Sequence, residues 1–224
     1  MSSSSTQYQN LGAVVLCGGK SARLGIDKTQ LLFREKTFLE HVVEKVAHVA
    51  SHVVLVGNID FSNHNLPKNV ILDEDKMVGK GPLEGMRVGL ERLHSADVEF
   101  GFVTSCDVPL LKPDLIRHLF ALINDRTCVV PVDEQRVYGM TAIYRSELHV
   151  KIGDRIQSGQ LRVSELANEF DALQPTVDSL RTIDPELDSM TNVNSKQDYL
   201  NLLGRFDHEC PPHLLAAIEQ QESD

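Results

Sequence analysis

The feature that most restricts how this chain can fold is a short run near its start. Gly12 to Cys17 reads GAVVLC, apolar and rich in β-branched residues, and it ends at Gly18-Gly19. That is the pattern of a buried strand. The segment after it, residues 18–30, carries glycines and lysines and reads as a loop. Next, Leu39, Val42, Val43, Val46 and Val49 fall at helical spacing, which predicts an amphipathic helix over 36–50.

The alternation continues. Strands are expected at His52–Val56 and Asn69–Leu72, and a helical stripe follows Gly81-Pro82 through Leu83, Met86, Leu90 and Leu93. Phe100–Thr104 reads as a strand, Pro113 opens a helix continued by Leu115, Ile116, Leu119, Phe120 and Ile123, and Cys128–Val132 is a further strand. This order predicts an α/β fold with an open, mostly parallel sheet and helices on both faces. Beyond residue 133 the pattern loosens: a strand at Met140–Tyr144, a helix at Ser146–Ile156, short strands in 171–184 and a helix at Ser195–Leu203. Residues 1–10 read as a flexible tail, 11–204 as one domain, and 205–224 as a C-terminal extension, helical after Pro211-Pro212.

Composition excludes several classes. With 224 residues the chain buries its own core without a disulfide or metal staple. No apolar run approaches the ~18 residues a membrane span needs, and the serine-rich start lacks the basic and apolar regions of a secretory signal. Four scattered cysteines without a CxxC pair read as free thiols of a reducing, cytoplasmic setting, and their spacing argues against zinc. The nine histidines form no metal-binding pattern. A net charge of −10 argues against nucleic acid as partner. A small phosphorylated substrate needs only a local positive pocket.

Such a pocket is suggested by Leu16 to Lys28, LCGGKSARLGIDK. In open α/β sheets ligands bind beyond the carboxyl ends of strands, and this loop follows one. Gly18 and Gly19 allow close backbone approach, with N–H groups able to cradle phosphate oxygens. Lys20, Arg23 and Lys28 add positive charge. A solvated basic loop is the bland alternative. The loop is not a P-loop, because Val14 stands where that motif needs its first glycine, and GGKSARLG does not fit GxGxxG.

LCGGKSARLGIDK resembles the signature loop of the molybdenum cofactor guanylyltransferases, LAGGxSxRMGxDK. Three further stretches are similar to that family in the same order: GPLEGMRVGL at Gly81–Leu90, VTSCDVPLL at Val103–Leu111 and TNVNSKQDYL at Thr191–Leu200. The resemblance spans about residues 11 to 204. It implies a single-domain, three-layer α/β/α Rossmann-like nucleotidyltransferase fold, with GTP and molybdopterin as substrates and Mg²⁺ as cofactor. It further implies that the backbone of Leu16, Cys17, Gly18 and Gly19 holds the nucleotide, that Arg23 and Lys28 meet the triphosphate, and that Asp73 contributes to the nucleotide site. Asp107 would bind Mg²⁺ and nucleotide, with Asn192 and Asn194 near metal and acceptor. The double glycine goes with GTP in that family.

The residues themselves leave alternatives open. Asp107 follows an apolar strand and precedes Pro109, a good position for a metal carboxylate, and Asp114 is better placed to cap the helix after Pro113. Lys28 could pair with Asp27. Asp73 lies in the charge run Asp73-Glu74-Asp75, which commonly means a solvated face. Asn194 or Ser195 could cap a helix. Departures from the family are Leu24 for Met, Val56 for an asparagine with Asn58 nearby, and Tyr138-Gly139 for a basic or His-Pro step. The rival functions are a cytidylyltransferase, a sugar-phosphate nucleotidyltransferase, or a non-catalytic nucleotide-binding homologue. The extension 205–224 is expected to dock on the body or on a partner, such as a molybdoenzyme or another cofactor-biosynthesis protein.

Overall fold

The computed structural model describes residues 7–18, 27–67, 69–77, 79–212 and 214–215. Its centre is β1 (Tyr8–Leu16), whose last six residues are all buried. On one side β1 pairs in parallel with β4 (Ala50–Val56), which pairs in parallel with β5 (Val70–Asp73). On the other side it pairs in parallel with β6 (Phe100–Ser105). β8 (Ala142–Arg145) runs antiparallel to β6, and β7 (Cys128–Val129) joins β8 to β9 (Ala172–Leu173). The seven-stranded order is β5-β4-β1-β6-β8-β7-β9, mostly parallel with β8 reversed. Strand order turns back between β1 and β6, the kind of switch point where α/β sheets bind ligands.

Two apolar layers cover this sheet. α1 (Phe38–Ala47) and α3 (Pro113–Ala121) pack on one face, with Leu39, Val42, Val43, Leu115 and Leu119 against Ala13, Val15, Val53 and Phe102. α2 (Pro82–His94) and α4 (His149–Gln157) cover the other, setting Leu83, Met86, Leu90 and Ile152 against Val14, Val54 and Val103. α2 lies close because Gly89 faces Val14: a Cβ at Gly89 would stand 2.2 Å from Val14 Cγ1. α1 starts where expected for a chemical reason. Thr37 and Glu40 form a reciprocal capping box, Thr37 N–H donating to Glu40 Oε2 at 2.8 Å and Glu40 N–H to Thr37 Oγ1 at 3.2 Å.

A third cluster sits at one end. Leu31, Phe33 and Phe38 meet Val193, Tyr199, Leu202 and Leu203, the last three from α6 (Lys196–Arg205), together with Leu214. Leu31 to Phe38 therefore ties the segment after Lys28 to the late helix. Leu214 of the C-terminal extension is 6% exposed, and its N–H donates to Pro211 O at 3.0 Å. The described part of the extension thus docks on the body. Short α5 (Leu166–Glu169) adds Leu166 and Ala167 to the layer under α2 and α4.

Several boundaries differ from expectation. β1 begins at Tyr8, inside the stretch read as a tail, because Tyr8 N–H donates to Val49 O at 2.9 Å and its ring packs on Phe120. The strand expected over 128–132 is continuous only at Cys128–Val129, since Pro131 has no N–H to give, and pairing resumes as isolated bridges from Val132 to Val137 and Thr176. Ser146–Leu148 is a 3₁₀ turn leading into α4, and Val177–Thr182 is 3₁₀ rather than strand, capped by Thr176. The hairpin of β2 (Leu32–Phe33) and β3 (Lys36–Thr37) was not expected from the sequence. Asp114 lies inside the first turn of α3 and pairs with Arg117 at 2.8 Å; the cap position is Lys112. No described helix is long and apolar enough to cross a membrane.

Candidate active site

The carboxyl ends of four strands lie level across the sheet: Asp73 beside Val56, Val56 beside Leu16, and Leu16 beside Ser105. The chain leaves this row in two places that matter. Cys17 N–H donates to Val56 O at 2.8 Å and Cys106 N–H to Leu16 O at 3.1 Å, so both turns start from fixed backbone. Gly57 is required here, because a Cβ on it would stand 2.1 Å from Cys17 O. Gly18 is exposed, with open space where its side chain would be. A ligand can reach its backbone there.

Asp107 is 6% exposed and both its oxygens are engaged. Oδ1 accepts from the Ser105 hydroxyl and from Asn192 Nδ2 at 2.8 Å. Oδ2 accepts from Lys28 Nζ at 2.8 Å, and the same ammonium donates to Asn194 Oδ1 at 2.5 Å. Lys28 therefore does not pair with Asp27, whose carboxylate caps the following 3₁₀ turn by accepting from Thr29 N–H at 2.9 Å and Thr29 Oγ1 at 2.7 Å. The late motif is fastened to the same turn, since Val193 N–H donates to Asp107 O at 2.9 Å. Ser195, not Asn194, caps α6, in a capping box with Asp198. The amide N–H groups of Asn194 and Ser195 reach Asp198 Oδ2 at 3.0 and 2.9 Å. Burial pushes the Asp198 carboxyl up, but these donors and nearby Lys28 hold it below its ordinary value. Asn194's carboxamide is left to face Lys28.

The structure thus brings Lys28, Asp107, Asn192 and Asn194 together beyond β1 and β6, with Leu16, Cys17 and Gly18 alongside. Gly19, Lys20, Arg23 and Leu24 lie outside the described residues. Asp73 stands at the end of β5 with its carboxylate committed: Oδ2 accepts from Arg92 at 3.0 and 2.9 Å and Oδ1 from Glu74 N–H at 2.9 Å. Asp75, which sequence reasoning passed over, has no hydrogen-bond partner among the described residues. Its Oδ1 lies 3.0 Å from the position of a Cβ on Gly85, a position itself 3.1 Å from Leu16 Cδ2. Burial first, then the Glu84 carboxylate, push its pKa up. This half-buried carboxylate lies two residues past the end of β5, on the side of the sheet where α2 begins. The only sequence signal was its place in the charge run before Gly81.

The donor set suits a hard divalent cation that brings other ligands with it. Among the described residues no three His, Cys, Asp or Glu side chains converge on a metal position. Mg²⁺ commonly takes one or two protein carboxylates and completes its shell with substrate phosphates and water, and Asp107 Oδ2 fits that use. Tyr138 and Gly139 serve structure: Tyr138 Oη donates to Asp133 Oδ2 at 2.7 Å, and a Cβ on Gly139 would stand 2.6 Å from Val163. A separate cavity of about 890 Å³ opens between the β2–β3 hairpin, α1 and the 109–113 segment. It contains neither Lys28 nor Asp107. The charged and polar side chains converge instead at Asp107.

A sheet with this switch point, a glycine loop after its central strand and a lysine–aspartate pair beside it define a nucleotide-handling α/β protein. A family model, the MobA-like NTP transferase domain, matches residues 13–172, and the chain belongs to that family. Similar proteins include a probable molybdenum cofactor guanylyltransferase of Methanosarcina acetivorans, 31% identical over 86% of this chain and 89% of its own length. Another, of Mycobacterium bovis, is 32% identical over 83% and 89%. The fold is also that of the molybdopterin-guanine dinucleotide biosynthesis protein A of Archaeoglobus fulgidus, with TM-score 0.73, 21% identity and coverage of 88% and 98%.

Proposed function

We propose that this protein is a guanylyltransferase of molybdenum cofactor biosynthesis, transferring GMP from GTP to the phosphate of molybdopterin and releasing pyrophosphate. The observation that carries this reading is the meeting of Lys28 and Asp107, 79 residues apart in sequence, beyond the ends of β1 and β6. Family membership and the guanylyltransferase names of its relatives support the reaction.

The acceptor phosphate oxygen attacks the α-phosphorus in line, a new P–O bond forms, and the bond to the β-phosphate bridging oxygen breaks. That phosphate is already anionic, so no protein base is needed. Catalysis rests on positioning and charge neutralisation. Leu16, Cys17 and Gly18 offer backbone to the nucleotide, and Asp75, which has no hydrogen-bond partner among the described residues, can accept from guanine N1–H and the N2 amino group. Asp73 braces this edge through Arg92. Lys28 and Arg23 balance charge on the triphosphate. Asp107 would hold Mg²⁺, with the Asn192 and Asn194 carboxamides beside it; when bound, the ion supplies charge neutralisation at the reacting phosphates. Buried free thiols at Cys17, Cys106 and Cys128 suit a reducing cytoplasm, and the charge of −10 suits small-molecule rather than nucleic-acid substrates. The protein that receives the product is a molybdoenzyme or another cofactor-biosynthesis protein.

The test is pyrophosphate release with each NTP, Mg²⁺ and molybdopterin, with Asp107→Ala as control. GTP-selective, Asp107-dependent release supports the proposal. CTP-selective release overturns the guanine assignment. Tight GTP binding with no release from any NTP overturns the catalytic one.

A further inference from the structure

Asp107 has a neighbour, inside the VTSCDVPLL stretch, to which neither the sequence reading nor the proposed reaction gives a role. Ser105 is the last residue of β6, level with Leu16, and its hydroxyl donates to Asp107 Oδ1 across the turn. Asn192 Nδ2 donates to the same oxygen at 2.8 Å and lies 3.4 Å from Ser105 Oγ. Two neutral donors thus hold one carboxylate oxygen, while the other meets Lys28, the one cation in contact with it among the described residues. A carboxylate gripped by one oxygen loses rotation about its terminal torsion, which is otherwise broad. Neutral donors leave its charge intact. The lone pairs of Oδ2 are then aimed in one direction, beyond the strand ends.

We propose that Ser105 is a positioning residue for the transfer reaction: it fixes Oδ1 of Asp107 so that Oδ2 alone is presented to the divalent cation and substrate phosphates. This rests on the guanylyltransferase reading. The hydroxyl does not touch substrate and acts only through Asp107. The strand places it: residue 105 is the last with ladder pairing, so its side chain is held by β1 on one side and reaches Asp107 two residues on. Asn192 comes from the opposite end of the chain and closes the grip from the other side.

The experiment is titration of Mn²⁺, read by electron paramagnetic resonance, into wild-type, Ser105→Ala and Ser105→Thr proteins with saturating GTP. GTP binding without metal and thermal unfolding are measured on the same samples. Loss of an outer-shell donor that orients a metal-binding carboxylate corresponds to about 10- to 100-fold in ion affinity. The expected result is that loss in Ser105→Ala, with metal-free GTP binding unchanged, a fall in kcat at limiting metal relieved by excess metal, and recovery in Ser105→Thr, which keeps the hydroxyl. Equal Mn²⁺ affinity in folded Ser105→Ala and wild type overturns the inference. If Ser105→Ala does not fold, Ser105→Thr decides: wild-type affinity supports the role of the hydroxyl, and a loss equal to that of Asp107→Asn overturns it. A wild-type protein that binds no Mn²⁺–GTP overturns the guanylyltransferase reading and this inference with it, whereas normal wild-type binding with an indifferent Ser105→Ala overturns the inference alone.

Discussion

Lys28 Nζ lies 2.8 Å from Asp107 Oδ2, the oxygen left free by Ser105 and Asn192. On the proposed reaction, a divalent cation at Asp107 Oδ2 would share that oxygen with the Lys28 ammonium. Two cations about 4 Å apart at an effective dielectric near 20 repel by roughly 4 kcal/mol, so ion and ammonium compete for that oxygen. In the proposed reaction the triphosphate would relieve this conflict by giving Lys28 a phosphate to bind.

The first prediction follows. Lys28→Met binds Mn²⁺ more tightly than wild type when no nucleotide is present, by on the order of tenfold. With GTP present the same variant binds nucleotide more weakly and turns over about 100- to 1,000-fold more slowly, the scale of losing one group that stabilises developing charge. A spin-resonance titration with and without GTP checks both halves. Unchanged or weaker Mn²⁺ binding by nucleotide-free Lys28→Met contradicts the competition.

Asp75 and Asp73 should separate by function. Asp75→Asn narrows the preference for GTP over CTP by about 10- to 100-fold, the value of a hydrogen bond to a charged group. Asp73→Asn removes a partly exposed pair with Arg92 and costs at most about 1 kcal/mol of stability, with base preference kept. Competition binding with GTP, ITP and CTP reads this out. The reverse order of effects would make Asp73 the base-reading carboxylate.

Leu214 tests the docked extension. It packs with Phe38, Tyr199 and Leu203 in the cluster that joins the segment after Lys28 to α6. Leu214→Ala should cost about 2 kcal/mol, the low end for a buried leucine, measured by urea unfolding. A change below about 0.5 kcal/mol, the scale of an indifferent surface substitution, would mean the extension is not held there in solution.

A pH dependence follows from Asp184, fully buried between α3 and the last 3₁₀ turns. Burial pushes its carboxyl up, but the Lys112 ammonium at 2.6 Å and Ser189 N–H at 2.8 Å outweigh burial and hold it below its ordinary value. A carboxyl lowered on folding adds stability that is fully present above its unfolded pKa of about 3.9, and that is lost as pH falls below it. Asp184→Asn should lose about 1.5–3 kcal/mol at pH 7 and show a flatter decline below pH ~4. Unfolding curves at pH 7 and pH 3 measure both.

The strands of the parallel half were legible because GAVVLC, HVVLV and the Phe100–Thr104 run are dense in β-branched and apolar residues. The helices showed through Val42, Val46, Met86 and Leu90 at helical spacing. The β2–β3 hairpin was not legible: two-residue strands around Arg34, which takes a left-handed φ of 55°, carry no periodic signal. Within the site, the motif resemblance nominated Lys28, Asp107, Asn192 and Asn194 separately, but local spacing does not reveal that Lys28 contacts Asn194 from 166 residues away. Asp73 and Asp75 looked alike in their charge run. What separates them is Arg92 on α2, which takes Asp73 and leaves Asp75 without a partner among the described residues, and that depends on how α2 lies on the sheet. Ser105 was hidden for the same reason, because its partner is defined by the turn after β6 rather than by a residue pattern.

The most direct test of the central claim follows labelled phosphorus through one turnover. GTP labelled at the α-phosphate, and separately at the γ-phosphate, is incubated with the protein, Mg²⁺ and molybdopterin, and the products are separated. The account predicts that α-label appears in a guanine dinucleotide of the pterin, that γ-label leaves as pyrophosphate, and that Asp107→Ala slows both about a thousandfold. Label from the γ-position appearing as free inorganic phosphate, with none from the α-position on the pterin, would contradict it.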